Sequence, residues 1–354
     1  MREGAQITVG SRRVAVIGSG VAGLSAALSL AKRGISPVLI EVKDELGGEC
    51  AEFACKGVDQ CVRCDVCLGR DLVREAKLLG IERIKGVKVY SITGEEGGFR
   101  VRLVPNRNGK KSSIEVSTVV VATGGAPYDP SGEKRLGFGL IKDVISAYDA
   151  ELEHGRTGRI VVPSTGAAPG SIAFVQCVGS RDERTGGIAC SKVCCKYSLK
   201  LAQLLKKTYP YVHVLYLFMD WRPVDAEDDI RLWAAAQSNV RLVRSRPAEI
   251  FAGEGGKPVV RYAAAGDSAV TEEEVDLVLL SVGMKASVNT EEIRARLGLE
   301  SESSGFIRVD GSMMTSRKGI FAAGCCTGPK DIRETAKEGE AVASRVGDAR
   351  EAFR

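Results

Sequence analysis

An α/β fold of the Rossmann type, arranged as two domains, is what this sequence of 354 residues predicts, and three observations predict it. First, the apolar run RVAVI at 13–17 leads straight into GSGVAG, which sets Gly18, Gly20 and Gly23 in G-x-G-x-x-G spacing. Second, the alternation restarts in mid-chain: SIAFVQCV at 171–178, a helical stretch over 191–207, then VHVLYLF. Third, GIFAAGCCTGPKDIRETAKEGEAVASRV reads as a strand, a Gly turn and a helix. Strands that alternate with helices give mostly parallel sheets covered on both faces. The expected division is a first domain at 1–130 that resumes at 284–354, with a β-meander at 87–121, and a second domain at 131–283.

Composition narrows the function classes. A hydrophobic share of 44% and a charged share of 27% describe a globular chain. The formal charge of +5 is spread without a Lys/Arg block, and only 5% of residues are aromatic, so nucleic acid is not an expected partner. No segment offers the roughly 18–20 apolar residues of a membrane span, so none is expected. The twin arginines of SRRVAVIGSGVAG imitate an export signal, but cleavage there would remove the glycine motif. The 11 cysteines are odd in number and clumped at 50–67, 177–195 and 325–326. Clumping in a long chain favours metal or cluster ligation in a reducing, cytoplasmic compartment over a disulfide framework.

In the first domain each part has a mechanical reason. Gly18 permits a tight turn, Gly20 lets the backbone approach a pyrophosphate, and Gly23 lets helix and strand pack closely. Val21 and Ala22 open the helix, whose free N–H groups face phosphates. The strand PVLIE ends in Glu41, placed to accept bonds from ribose hydroxyls, with Val42 next and Gly47–Gly48 in the loop beyond. GVKVYSI, GFRVRLV and SIEVSTVVVATGG then read as three strands that end at Ala122, Thr123 and Gly124. This order resembles the FAD domain of the two-dinucleotide-binding flavoproteins, such as thioredoxin and glutathione reductases, and the resemblance implies FAD. It also implies that the C-terminal turn and helix, their second FAD signature, bring Gly324, Cys325, Lys330 and Ile332 to the same ligand. That family carries Asp after AAG, where this chain has Cys325. A thiol accepts poorly, so backbone N–H groups are expected to take over that contact. Cys325 and Cys326 read as small buried hydrophobes near the flavin.

In the second domain the glycines after SIAFVQCV fall out of nucleotide-binding spacing, and direct NAD(P)H oxidation is not expected. Four cysteines replace them: Cys177, Cys190, Cys194 and Cys195, spaced C-x12-C-x3-C-C. One leaves a strand end and three come from a helix start, with Lys192 and Lys196 near enough to favour thiolates. Four thiolates meet the ligand count of a 4Fe–4S cluster or of zinc. Adjacent Cys194 and Cys195 do not suit a zinc ribbon, although zinc and unligated thiols stay open as alternatives.

FVQCVGSRDERTGGIACSKVCCKY together with GIFAAGCCTGPKDI resembles the flavin-bearing A subunit of heterodisulfide reductases, and its relative in quinone-interacting oxidoreductase complexes, over nearly the whole chain. The resemblance implies a 4Fe–4S cluster on Cys177, Cys190, Cys194 and Cys195, close to FAD. It also implies a lysine near the flavin ring, carried here by Lys200, for which a solvated helix lysine is the plainer reading. The methanogen form has an N-terminal cluster-binding domain and ferredoxin-type inserts that this sequence lacks. The short form looks like the corresponding subunit in the heterodisulfide-reductase-like complexes of sulfur oxidisers. Without the inserts only one electron path is clear, which puts electron bifurcation in doubt. The implied partners are other subunits of such a complex and electron-carrier proteins, with a homodimer expected from the fold family.

The first clump places Cys61, Cys64 and Cys67 in C-x2-C-x2-C, with Cys50 and Cys55 upstream and Arg63 and Arg70 beside it. A second cluster, a dithiol that exchanges with a disulfide, and ligation completed by a partner subunit or plain free thiols all fit that spacing. The two histidines, His154 and His213, are isolated, and His213 alternates within a strand as a packed residue does. The sequence thus reads as an electron-transfer subunit that exchanges electrons between FAD and an iron–sulfur cluster in cytoplasmic sulfur metabolism. Its rivals are a stand-alone disulfide reductase using Cys61 and Cys64, a quinone-linked subunit, and a zinc-stabilised scaffold without activity.

Overall fold

A computed structural model describes residues 13–183, 189–222 and 229–351. The first unit is built on β1 (Arg13–Ile17), α1 (Val21–Lys32), β2 (Ser36–Ile40), α2 (Val66–Leu78), β3 (Glu82–Ile84), β4 (Val87–Thr93), β5 (Phe99–Pro105), β6 (Ser112–Val116) and β7 (Thr118–Val121). The chain leaves this unit through β8 (Gly125–Pro127) and forms the second with β9 (Val144–Ser146), α3 (Ala147–Thr157), β10 (Ser171–Val178), α4 (Val193–Thr208), β11 (His213–Phe218), α5 (Ile230–Ala235), β12 (Val240–Arg244), β13 (Glu249–Ala252), β14 (Pro258–Ala263), β15 (Val270–Glu274) and β16 (Leu277–Val282). It returns by β17 (Met284–Ala286) and completes the first unit with α6 (Val288–Leu297), β18 (Ile320–Ala322) and α7 (Ile332–Glu351). Contacts group residues 1–51, 65–126 and 285–354 into one unit and 52–64 with 127–284 into the other.

The first unit centres on a parallel sheet of order β18-β7-β1-β2-β3, with the antiparallel meander β4-β5-β6 beside it. β1 and β7 are almost wholly buried, as expected of short valine-rich strands covered on both faces. Two cores follow. One lies between the sheet and the meander, around Phe99, Val101, Leu103 and Ile320. The other lies under α1 and α7, around Leu24, Leu30, Phe321 and Val346. The close seating of these two helices depends on Gly339, where a Cβ would meet the Ala22 carbonyl oxygen at 2.4 Å.

The second unit repeats the plan with a parallel sheet of order β12-β11-β10-β16-β9 and a three-stranded antiparallel sheet β13-β14-β15. Phe174 and Tyr216 stack at 5.2 Å in its core, between the sheet and α3 and α4. β10 pairs with β16 in parallel register until an irregularity between Val175 and Val178, where Cys177 sits. Segment 52–64 is fixed to this unit through Phe53, Lys56 and Asp59. Lys56 and Glu151 of α3 form a buried ion pair, Phe53 meets Tyr148 edge-on at 5.8 Å, and Lys207 of α4 reaches Asp59 at 2.8 Å.

Candidate flavin site and cysteine loop

The glycine loop of the first unit is a cradle only glycine allows. Gly18 has φ +101°, and a Cβ there would lie 2.3 Å from the Ala122 oxygen. A Cβ on Gly23 would lie 1.9 Å from the Gly18 oxygen. Gly48 has φ +59°, and its Cβ would press to 2.9 Å on Gly20 Cα. A Cβ on Gly20 itself would meet nothing within 4 Å, so the space above the loop is open. Helix α1 starts there with no side-chain cap, and its first N–H groups point out of the helix toward that space.

At the end of β2, Glu41 is buried; its Oε2 accepts from the Ser19 amide at 2.7 Å and the Ser19 hydroxyl at 2.5 Å, and its Oε1 from the Lys43 amide at 2.8 Å. A carboxylate offers about four acceptor positions, so one is left for a ribose hydroxyl. The Thr123–Gly124 turn is tied down by α6. Thr290 donates to the Gly124 oxygen at 2.7 Å, and Ser287 caps the helix by accepting from the Thr290 amide at 3.1 Å.

The C-terminal turn departs from expectation in one respect. The Gly324 amide, among those expected to stand in for the missing Asp, already donates to Glu338 at 2.6 Å. Lys330 binds across the same turn, donating to Thr327 Oγ1 at 2.8 Å and standing 3.4 Å from Glu338. Cys326 is buried in the core, its thiol pushed up to about 12 by burial, and reads as the small hydrophobe expected. Cys325 is only half-buried, and its thiol donates to the Lys330 oxygen at 3.5 Å. Ile332 opens α7, Val42 follows the acid, and Val21 and Ala22 begin α1. The open space over glycine, the uncapped helix start and the spare acceptor on Glu41 together fit a dinucleotide such as FAD.

In the second unit the loop after β10 takes another course. Gly179 adopts φ +72°, but the Tyr128 ring stands where its Cβ would be, with ring atoms 2.1–2.5 Å from that position. A pyrophosphate has no such approach here. Residues 184–188, including Gly186 and Gly187 of the altered loop, lie outside the described residues.

The thiols of this loop come together in a chain of bonds. Cys177 donates to Cys194, and Cys194 to Cys195, while the Arg222 amide donates to Cys195. The Cys177 thiol is pushed up by its bond to Cys194 and by burial. The bond from Cys177 favours the Cys194 thiolate, but its own donation to Cys195 and its burial prevail and push it up to about 12. Cys195, as acceptor, is held below the ordinary thiol range. Cys190 is half-buried and accepts from the Lys192 amide at 3.3 Å. The expectation that Lys192 and Lys196 acidify these thiols is therefore corrected. The cation that favours the Cys177 thiolate is Arg181, itself paired with Asp220, and burial outweighs it.

Two further features mark the loop. Cys177, Arg181 and Lys192 all have positive φ, at 63°, 57° and 63°, in a region that costs any side-chain-bearing residue roughly 1–3 kcal/mol. Two of its buried polar atoms, Gln176 Oε1 and Ser191 Oγ, have no hydrogen-bond partner among the described residues. Lys200 is buried, not solvated. Among the described residues no set of three or more His, Cys, Asp or Glu side chains stands at metal-holding geometry, the thiols being bonded in sequence rather than around a centre. The donor set, three thiols linked in a chain and a fourth on the same loop, nonetheless has the chemistry of a four-thiolate site, and the orphaned hydroxyl fits a further acceptor there.

In the first clump Cys50 is buried against Gly69, and Cys55, Cys61 and Cys67 are exposed. Cys55 and Cys61 accept from the Gly57 and Arg63 amides at 3.4 Å each. Arg63 and Asp65, on either side of Cys64, have positive φ at 53° and 59°. His213 is exposed at the first position of β11 rather than packed, and His154 lies on α3. Sequence reading missed Tyr128, Asp220 and Arg222, which lie far from the cysteines in the chain, and passed over Arg181, which stands within the quoted motif but carries no metal-ligating chemistry. Ser191, between Cys190 and Cys194, was legible as a neighbour but not as a buried one.

A glycine cradle completed by a C-terminal turn, in a chain that builds a second sheet of like plan, defines an oxidoreductase of two dinucleotide-type domains. The chain belongs to the pyridine nucleotide-disulphide oxidoreductase family, which it matches over residues 12–343, and that membership implies FAD. Among curated proteins it is similar to the A subunit of the ferredoxin:CoB-CoM heterodisulfide reductase of Methanosarcina mazei, with 30% identity over 95% of this chain and 53% of that protein. It is 29% identical to an iron-sulfur A subunit of the CoB–CoM heterodisulfide reductase of Methanopyrus kandleri, over 95% of this chain and 64% of that one. The chain thus spans between half and two thirds of the length of these relatives. Its fold is that of the thioredoxin reductase of Lactococcus lactis, with a TM-score of 0.63 and 19% identity over 95% of this chain and 98% of that one. The NAD-dependent persulfide reductase of A. fulgidus gives 0.58 and 22%, over 94% of this chain and 58% of that one.

Proposed function

We propose that this chain is an FAD- and 4Fe–4S-containing electron-transfer subunit of a heterodisulfide-reductase-like complex in cytoplasmic sulfur metabolism. The observation that carries the reading is the thiol chain Cys177–Cys194–Cys195, set where the nucleotide loop of the second sheet would be, with Tyr128 over Gly179. When bound, FAD would supply two-electron exchange and the cluster one-electron exchange. Cys177, Cys190, Cys194 and Cys195 would hold the cluster; the residues from Gly18 to Gly23, with Glu41, Gly48 and the turn at 324–330, would hold FAD.

The chain's own residues prepare both places. Arg181 sets positive charge beside Cys177 and so favours its ligating, deprotonated form. Ser198 and Ser281, 2.8 Å apart, and Gln176, which donates to Tyr216 at 2.6 Å, fill the space under the loop with bonded polar groups and fix the start of α4. Such supports hold ligating side chains in place. Lys200, buried on the same helix, is the residue proposed for the lysine that the family resemblance implies. The relatives, named as subunits of heterodisulfide reductases, support assembly with further subunits; electron-carrier proteins as partners and a homodimer of this chain within the complex belong to the same proposal.

Anaerobic purification, with iron, sulfide, zinc and flavin counted per chain, tests the reading. About four irons, equal sulfide and one FAD are expected. Colourless protein without inorganic sulfide would end it, and zinc in place of iron would favour a scaffold.

A further inference from the structure

Ser191 stands between Cys190 and Lys192 in the turn that leads into α4, and it is only 3% exposed. Its hydroxyl oxygen is buried and bonded to nothing among the described residues. Leaving a buried hydroxyl unmade costs about 1–3 kcal/mol, and such groups are rare enough to require a reason. Helix α4 offers a contrast: Ser198, likewise buried, donates to the Cys194 oxygen at 2.6 Å and meets Ser281. The hydroxyl of Ser191 has no such partner among the described residues. Its surroundings are tight. A Cβ on Gly283 would come within 3.3 Å of Ser191 Oγ, and Lys192 beyond it holds φ +63°. The chain accepts a strained turn and a bare glycine, and buries a lone donor one residue from Cys190 and three from Cys194.

We propose that Ser191 is a positioning residue whose hydroxyl donates a hydrogen bond to a sulfur of the cluster held by Cys177, Cys190, Cys194 and Cys195. This inference rests on the cluster reading above. Sulfur is the acceptor that the four cysteines would bring to this spot, and the described residues offer Ser191 no other. A donor on a cluster sulfur stabilises the more negative, reduced form, and hydrogen bonds to the sulfurs are one of the protein's means of setting cluster potential.

The test is a redox titration, followed by spectroscopy, of the anaerobically purified chain and of Ser191→Ala and Ser191→Thr. Ser191→Ala should keep its iron and sulfide and shift the oxidised-to-reduced ratio at fixed poise about tenfold toward oxidised, a midpoint about 59 mV lower for one electron. Ser191→Thr, which keeps a hydroxyl, should stay near the unmodified value. A fully loaded Ser191→Ala with an unchanged midpoint overturns the inference and leaves the cluster reading standing. Unmodified chain without iron and sulfide removes the reading itself. Should Ser191→Ala lose its iron, Ser191→Thr decides: retention at the original potential supports the hydrogen bond, and loss in both makes Ser191 a packing residue and overturns the inference.

Discussion

Gly48 has φ +59°, and a methyl group there would stand 2.9 Å from Gly20 Cα, inside the glycine loop proposed to hold FAD. Gly48→Ala is therefore expected to lower the flavin retained per chain at least tenfold, read from the ratio of flavin to protein absorbance, because both the torsion and the contact oppose it. Cys177 raises the opposite case, a side chain kept where glycine would be easier, at φ 63°. Cys177→Gly should abolish iron binding yet leave the iron-free protein no less stable to urea, since the left-handed torsion costs an ordinary residue about 1–2 kcal/mol. The glycine positions were legible in the sequence because G-x-G-x-x-G states a steric need directly. The charge around the cysteines was not. Lys192 and Lys196 are neighbours in sequence, whereas Arg181, the cation that acts on Cys177, is turned toward it by a backbone twist that spacing does not reveal.

Helices and strands with a clear apolar period were readable end to end: α4, β10 and β11 lie within a residue or two of their expected bounds, and α1 opens at Val21 as expected. β15 was not, because its sequence VTEEE is mostly polar and exposed, and pairing with β14 rather than burial keeps it a strand. What fastens one element to another is also hidden from periodicity. Ser287 caps α6 and meets the Thr123 and Gly124 oxygens at 3.3 and 3.2 Å, so Ser287→Ala should cost about 1–2 kcal/mol in a denaturant titration and loosen the flavin. Asp276, just before β16, accepts from the Gly170 and Ser171 amides at 2.8 and 2.9 Å and pairs with Lys257. Burial works against its ionisation, but the Lys257 bond and the two amides prevail and hold it below the ordinary carboxylate range. Its contribution to stability is thus present above about pH 4 and lost as the pH falls through the lowered value. Asp276→Asn should flatten the acid side of a stability-versus-pH curve, and an unchanged curve would show the pair to be inert.

On the scale of the whole chain, the clearest surprise is the membership of segment 52–64 in the second unit. Its attachment runs through Lys56 and Glu151, 95 residues apart and each almost wholly buried, with the Lys56 amine also 5.7 Å from the Phe53 ring. Nothing in the mixed stretch EFACKGVDQCVRC announces a buried ion pair with so distant a partner. Breaking it by Glu151→Gln leaves an uncompensated buried charge and should cost about 3–5 kcal/mol, with 52–64 becoming the first site cut in limited proteolysis. The two-sheet plan, by contrast, was visible from the recurrence of strand, helix and strand. One consequence of that plan concerns synthesis. The sheet of the first unit gains β18, and the cradle gains the turn at 324–330, only from residues translated after the entire second unit. A growing polypeptide arrested before residue 320 should emerge from the ribosome with its middle unit able to fold and its N-terminal glycine loop still unable to keep a flavin, so the yellow cofactor would join last.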